Sequence, residues 1–263
     1  ATEPTGRDRR VVTRPSGVLG ASYRLWSQAA DYVTAFADVR SSYKPAAVDF
    51  GPEAEGDILR PEMGKSGEVG LRGRVLGGQL SWESSLFQMD FRNLVIRENV
   101  GGLPALANAG EERFRGAELE ATWAVTDALR VIGTYAYHDA VFTDYARLRP
   151  DGSIQQLAGK QLELSPQHLA ALGVVLAPKH GWTGSIVASR VGSRFLNKSN
   201  TAVAGAFTML DAGAGYRGSH WEFRVDGYNL TDRRDPVAES ELGDAQFYRL
   251  PGWSAVASVS YQY

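Results

Sequence analysis

The sequence predicts an all-β fold, an antiparallel β-barrel that crosses a membrane with its strands, and three observations predict it. Apolar side chains alternate with polar or charged ones at period two along segment after segment. No long apolar stripe at helical spacing is present, nor any run of about 18 apolar residues that would make a transmembrane helix. The connections alternate between short and long, as they must in a barrel with tight turns at one rim and loops at the other.

About eleven segments carry the pattern, at 18–25, 31–41, 66–76, 79–92, 112–123, 128–141, 167–177, 182–191, 206–217, 219–230 and 252–263. In the first, Leu19, Ala21, Tyr23 and Leu25 oppose Ser22 and Arg24. In the third, Val69, Leu71 and Val75 oppose Glu68, Arg72 and Arg74. The fourth changes parity, from Leu80, Trp82 and Leu86 to Phe87, Met89 and Phe91, which suggests a bulge or the end of a lipid-facing band. The fifth sets Ala117, Leu119, Ala121 and Trp123 against Glu118, Glu120 and Thr122. The seventh, HLAALGVVLAP, is apolar on both faces, and periodicity alone leaves a strand or a short helix open. The ninth alternates Leu210, Ala212, Ala214 and Tyr216 with Asp211, Gly213, Gly215 and Arg217, and the tenth Trp221, Phe223 and Val225 with Glu222, Arg224 and Asp226. Such charged faces do not suit a dry sandwich core. In the last, Trp253, Ala255, Ala257, Val259, Tyr261 and Tyr263 share one face, and Ser254, Ser258, Ser260 and Gln262 share the other with Val256.

The short connections are WSQAA, VLGG, VTDA, KHG and GS; the long ones span 42–65, 93–111, 142–166, 192–205 and 231–251. Short turns are periplasmic and long loops extracellular in outer-membrane barrels. The final strand then runs downward and ends at Tyr263 in the periplasm. A soluble propeller or sandwich also has many strands, but gives no reason for this alternation of loop lengths. Bacterial barrels have an even number of strands, so an odd count that begins in a long loop, with 1–17 as part of that loop, reads as part of a larger barrel.

Composition agrees. The 263 residues are 43% hydrophobic and 22% charged, which suits an ordered protein. A net charge of -2 and a pI near 6.1 give no bulk attraction to nucleic acid. With no cysteine, disulfide frameworks and thiol nucleophiles are excluded. A mean hydropathy of -0.26 is compatible with a barrel, because only every second residue faces lipid.

Four motifs in order then resemble one family, the TonB-dependent outer-membrane receptors. SSYKPAAVDFG at 41–51 with LRPE at 59–62 is similar to a loop that opens outward and re-enters the barrel. SLFQMDFRNLV at 85–95 resembles a strand end, NAGEERFRGAELE at 108–120 an N-x-G to G-x-E segment, and NLTDRRDP at 229–236 a near-terminal NLxD motif. The aromatic Tyr263 resembles the assembly signal of such barrels. The resemblance implies a 22-stranded barrel with a plugged lumen, of which residues 1–263 would supply the last eleven strands. The plug, the TonB box and the first half of the barrel have no counterpart here. It also implies a Gram-negative outer-membrane location, lipid around the barrel, an energy-transducing TonB complex as partner through the absent N-terminal part, and uptake of an extracellular small molecule. A ferric siderophore is expected; the iron chelate is cargo, and no cofactor is implied. The alternative is a passive pore or adhesin with the same barrel.

Loops on a rigid scaffold gather binding residues, which makes Arg233, Arg234, Glu241, Phe247, Tyr248 and Arg249 candidate ligand contacts, with lumen arginines Arg72, Arg130 and Arg224 as guides for an anion. Structural roles are expected for Gly116, where a strand bends or a plug packs closely, for Glu118 as a lumen charge, and for Asn229, Leu230 and Asp232, where a strand breaks into its loop. Glu118 and Glu120 share a face but lack the shielded pocket and nucleophile of an acid-base enzyme. His138, His168, His180 and His220 lack metal-site spacing. No GxSxG elbow or phosphate-cradling glycine loop occurs, so no catalytic residue is assigned.

Overall fold

The computed structural model describes residues 13–45, 59–100, 103–108, 110–148, 153–239 and 247–261. Eleven strands form one antiparallel sheet in sequence order. They are β1 (Gly17–Gln28), β2 (Asp31–Lys44), β3 (Glu62–Val75), β4 (Leu80–Arg92), β5 (Glu111–Ala124), β6 (Leu129–Asp144), β7 (His168–Leu176), β8 (Gly181–Val191), β9 (Phe207–Arg217), β10 (Trp221–Tyr228) and β11 (Ser254–Tyr261). Each strand pairs with the next, leaving β1 and β11 as the sheet's two edges. HLAALGVVLAP is therefore a strand, β7, held by β6 on one side and β8 on the other. Its apolarity on both faces reflects a wall position rather than a helix.

The register carries one apolar face across the sheet. Leu86 of β4 stands opposite Val69 and Ala117, Leu119 opposite Ser84 and Tyr135, Leu172 opposite Gly133 and Ala188, and Phe223 opposite Tyr216 and Val259. Leu19, Val69, Leu86, Leu172, Ile186, Phe223 and Val259 on this face are all exposed. A water-soluble domain would bury such a face.

The parity change in β4 is not a bulge. β4 pairs without interruption from Leu80 to Arg92 on both sides. Phe87, Met89 and Phe91 simply face inward, while the outward positions above Leu86 become Gln88, Asp90 and Arg92. The apolar band ends there. The real irregularities lie in β1, between Arg24 and Trp26, and at the top of β5, between Glu111 and Glu112. The first inserts Leu25 and brings Trp26 opposite Val33 on the outer face.

One rim has tight turns, and their chemistry is local. The turn after β3 places Leu76, Gly77 and Gly78 at φ of 61°, 67° and 86°, the left-handed region that glycine adopts without strain. The Asp31 carboxylate from the neighbouring turn accepts the Gly77 and Gly78 amides at 3.1 and 2.7 Å.

The other rim holds the long connections. Among the described residues, four contain short hairpins: Val95–Val100 with Leu103–Asn108, Ala146–Leu148 with Ile154–Gln156, Arg194–Phe195 with Val203–Ala204, and Pro236–Glu239 with Phe247–Arg249. Between β6 and β7 the chain returns alongside β6, with Phe142 and Leu162 amides donating to the Lys160 and Ala140 carbonyls at 3.0 Å. A small dry cluster of Phe142, Tyr145 and Leu157, flanked by Leu94 and Leu162, sits beneath it.

Candidate functional site

Two regions gather the polar side chains: the inward face of the sheet and the long-loop rim. The inward face carries a hollow of about 780 Å³, lined among others by Glu68, Arg72, Glu83, Glu118, Glu120 and His138. Arg72, Glu83 and Glu120 stand opposite one another along a row across β3, β4 and β5. Glu118 contacts His138 Nε2 through Oε1 at 3.2 Å. The arginine beside Glu83 offsets part of the repulsion between the facing carboxylates. A charged row of this kind suits a wet lumen.

Gly116 sits above this row with a specific steric reason. A Cβ there would run into the Tyr137 carbonyl oxygen and, at 2.9 Å, the Phe87 ring. The close approach is thus within the wall itself, between neighbouring strands, and no plug is needed to explain the glycine.

At the rim, the re-entry, strand-end and N-x-G motifs meet at one node. Asn93, in the left-handed region at φ 58°, donates through Nδ2 to the Pro61 carbonyl at 3.1 Å. Asn108 accepts the Arg60 amide at 2.7 Å and donates to the Arg60 and Asn93 carbonyls. Glu62 accepts the Val95 amide at 2.7 Å and pairs with Lys44 at 3.1 Å. Residues far apart in sequence are thereby tied across the tops of β2, β3, β4 and β5. Positions 46–51 of the first motif lie outside the described residues.

The NLxD motif forms a second node. Asn229, 7% exposed and at φ 49°, accepts the Arg233 amide at 2.9 Å and donates to the Arg233 and Pro251 carbonyls at 2.8 Å. Its own amide donates to the Asp211 carboxylate at 2.6 Å. The Leu230 amide donates to the Leu210 carbonyl, and Asp232 accepts the Trp253 amide at 3.0 Å. That amide, followed by the Arg234 guanidinium, holds the Asp232 carboxyl below the usual carboxylate range. The two side chains close the loop between β10 and β11 at its base.

The eight ligand-contact candidates among the described residues do not converge. Arg233 is bound to Asp235 at 2.9 and 3.1 Å, and Arg234 to Asp232 at 3.2 Å, so both charges are locally offset. Phe247, Tyr248 and Arg249 lie on the short strand paired with Pro236–Glu239. Arg72 lies in the lumen, its guanidinium 5.6 Å from the centre of the Phe36 ring. Arg130 lies at the short-turn end of β6, and Arg224 is held by Asp226 and Ser185 at 2.7 and 2.8 Å low on the inward face. Glu241 and Tyr263 lie outside the described residues.

Sequence reading missed two buried charges at the rim. Arg194, 5% exposed, donates to the Pro236 carbonyl and lies over the Phe207 ring with Arg233 close by. Burial lowers its pKa, and the Asp235 charge opposes that shift. Glu112, 2% exposed, lies above the apolar band at the top of β5. Burial, then the Glu163 charge, raises its pKa to about 7, opposed by Lys198, which pairs with Glu163 at 3.0 Å. The signal was absent locally because the cover comes from the connections after β6 and β8.

A sheet with an apolar outer face, a charged inner face and tied long loops matches a known family. The sequence model described as TonB dependent receptor-like, beta-barrel, matches residues 2–230. The chain belongs to that family. Among similar proteins, the metal-pseudopaline receptor CntO of Pseudomonas aeruginosa is 30% identical over 233 residues, covering 86% of this chain and 30% of the relative. The ferrioxamine B receptor of Salmonella typhimurium is 25% identical over 223 residues, covering 80% and 30%. Among solved structures, the ferric yersiniabactin uptake receptor FyuA of Yersinia pestis superposes with a TM-score of 0.76 at 19% identity, covering 94% of this chain and 37% of that one. The siderophore receptor PiuA of Acinetobacter baumannii gives 0.76 at 20%, covering 94% and 36%. The chain thus spans about a third of the length of these receptors.

Proposed function

We propose that this chain forms eleven strands of the barrel of an outer-membrane TonB-dependent receptor, which takes up a scarce extracellular solute, a ferric siderophore, without making or breaking covalent bonds. The observation that carries the reading is the division of the sheet into an exposed apolar face and a charged inward face beneath a rim of tied loops, in a chain of this family. The relatives' names supply the cargo class: receptors for metal-pseudopaline, ferrioxamine B and ferric yersiniabactin bind chelated metal. The open edges at β1 and β11 require further strands to complete a barrel, and closure removes unpaired backbone groups from lipid.

In this proposal the loops and a plug form the extracellular site. The inward charges of Glu68, Arg72, Glu83, Glu118 and Glu120 line the lumen around the plug, and the TonB complex of the inner membrane supplies the energy for release through the N-terminal part. Of the ligand-contact candidates, Phe247, Tyr248 and Arg249 remain the strongest, because they stand on a loop hairpin with two of the side chains, Tyr248 and Arg249, exposed. Uptake of ⁵⁵Fe by whole cells carrying the full receptor gene, supplied with one siderophore at a time, tests the reading. Accumulation on at least one chelate, lost when the receptor gene or the tonB gene is deleted, is expected. Uptake that persists without TonB would favour the passive pore instead.

A further inference from the structure

Among the described residues, the outward face of β7 to β11 carries one cation and no counter-charge. The outward positions of β7 to β11 are His168, Ala170, Leu172, Val174 and Leu176; Trp182, Gly184, Ile186, Ala188 and Arg190; Thr208, Leu210, Ala212, Ala214 and Tyr216; Trp221, Phe223, Val225 and Gly227; then Ala255, Ala257, Val259 and Tyr261. There is no carboxylate among them. Arg190 is exposed, and its only hydrogen bond among the described residues is from Nη1 to Thr208 Oγ1 at 3.1 Å. On the outward face of β3 to β6 carboxylates accompany the cations: Arg115 meets Asp139 at 2.8 Å, Arg92 meets Glu111 at 3.1 Å, and Lys65 and Arg113 stand on either side of Asp90.

The height of Arg190 defines its surroundings. Trp182 and Arg190 are eight residues apart on β8, and Trp182 stands opposite Tyr216 in a belt with Trp221 and Tyr261 near the short-turn rim. At about 3.3 Å per residue and a tilt of about 40°, Arg190 stands roughly 20 Å above that belt. This places it at the opposite edge of an apolar band of about 25 Å. Beside it are the aromatic and imidazole groups of the second belt. Tyr135 Oη contacts His168 Nδ1 at 2.9 Å, and Tyr137 packs on the His168 ring at 5.3 Å. Ala170, one position below His168 on the outward face, stands between Tyr135 and Arg190.

An arginine at an interface costs little when its head reaches an anion, and a planar guanidinium binds phosphate oxygens in pairs. Together with Arg190, two phenol hydroxyls, an imidazole and a threonine hydroxyl supply further hydrogen-bonding groups. We infer that Arg190, with His168, Tyr135, Tyr137 and Thr208, forms an outward-facing seat for the phosphate of a lipid headgroup in the outer leaflet, below the extracellular loops and separate from the ligand path. This inference rests on the outer-membrane reading proposed above.

The test uses the full receptor purified in detergent, titrated with diphosphorylated lipid A and read by native mass spectrometry. The wild type is expected to retain the lipid, and Arg190→Gln to weaken retention about fivefold, the effect of removing one cation from an anionic surface. Arg190→Lys should restore part of it, and Arg115→Gln, whose partner is Asp139, should leave it unchanged. Enzymatically dephosphorylated lipid A should bind the wild type no better than the phosphorylated lipid binds Arg190→Gln. Equal retention by wild type and Arg190→Gln, or no preference for the phosphorylated lipid, would overturn the seat. Displacement by an equal concentration of inorganic phosphate would also overturn it, by assigning the groups to a free anion. Unchanged circular dichroism of each variant shows that the receptor remains folded. Membrane fractionation separately reports whether the receptor sits in the outer membrane, so the two readings fail independently.

Discussion

The two faces of the same strands obey opposite rules. On β7, Leu172 points outward and is exposed, although a soluble protein would bury it; on β5 and β6, Glu120 and Thr134 stand opposite each other on the inward face, where charge is tolerated. The difference teaches that neither face is a packed core. Side-chain contacts within the sheet cannot supply most of the stability, which must come from backbone pairing and from what lies against each face.

The largest effect that separates the faces is a charge at mid-band. Leu172→Arg is expected to destabilise the receptor in bilayers by about 2–4 kcal/mol, and Thr134→Arg on the inward face by less than about 1 kcal/mol. Urea unfolding of the full receptor in phospholipid vesicles measures both, and equal costs would erase the distinction between the faces.

Glu112 sharpens the comparison because it faces inward yet is dry. Its pKa in the folded protein is about 7, above the ordinary value of 4.5. Between those values the folded state holds a proton that the unfolded state has lost, so stability falls as pH rises from about 4.5 to 7 and levels off above. A shift of this size corresponds to about 3 kcal/mol. Glu112→Gln should flatten that slope in unfolding measured from pH 5 to 8; an unchanged slope would mean that the carboxyl is wet like its neighbours along β5.

Asn229 tests the rim rather than the faces. Asn229→Ala removes the acceptor of the Arg233 amide and the donor to the Arg233 and Pro251 carbonyls, at an expected cost of about 2 kcal/mol to loop closure. Hydrogen exchange of the Arg233 amide should quicken, while amides of β10 stay protected. The smallest effect belongs to Arg234→Ala. The Arg234–Asp232 pair is exposed on both sides, and its loss should change stability by at most about 0.5 kcal/mol in the same unfolding assay.

How much of this was legible in the sequence depended on whether the cause was local. Alternation placed all eleven strands within a few residues of their observed ends, because each strand has its own pattern of facing side chains. β10 ends at Tyr228, short of the expected 230, since the chain turns left-handed at Asn229 and Asp232. The inward Phe87, Met89 and Phe91 looked like a break in pattern because an inward face was expected to be polar, whereas Phe91 packs edge-on against Phe114 and Phe87 against His138. The rim was the least legible part. Burial of Glu112 and Arg194 is created by segments distant in sequence, and the candidate arginines Arg233, Arg234 and Arg224 are each occupied by a carboxylate two residues away that the sequence displayed but whose geometry it did not.

The central claim, that one face meets lipid and the other water, is tested most directly by spin labels placed one at a time from His168 to Leu176 and from Gly181 to Val191 in the full receptor in bilayers. Accessibility to oxygen and to a water-soluble nickel chelate should alternate at period two, with 172, 174 and 186 oxygen-rich and 171, 173 and 187 shielded from oxygen. Uniform accessibility to the nickel chelate along both strands, with no alternation, would contradict the account.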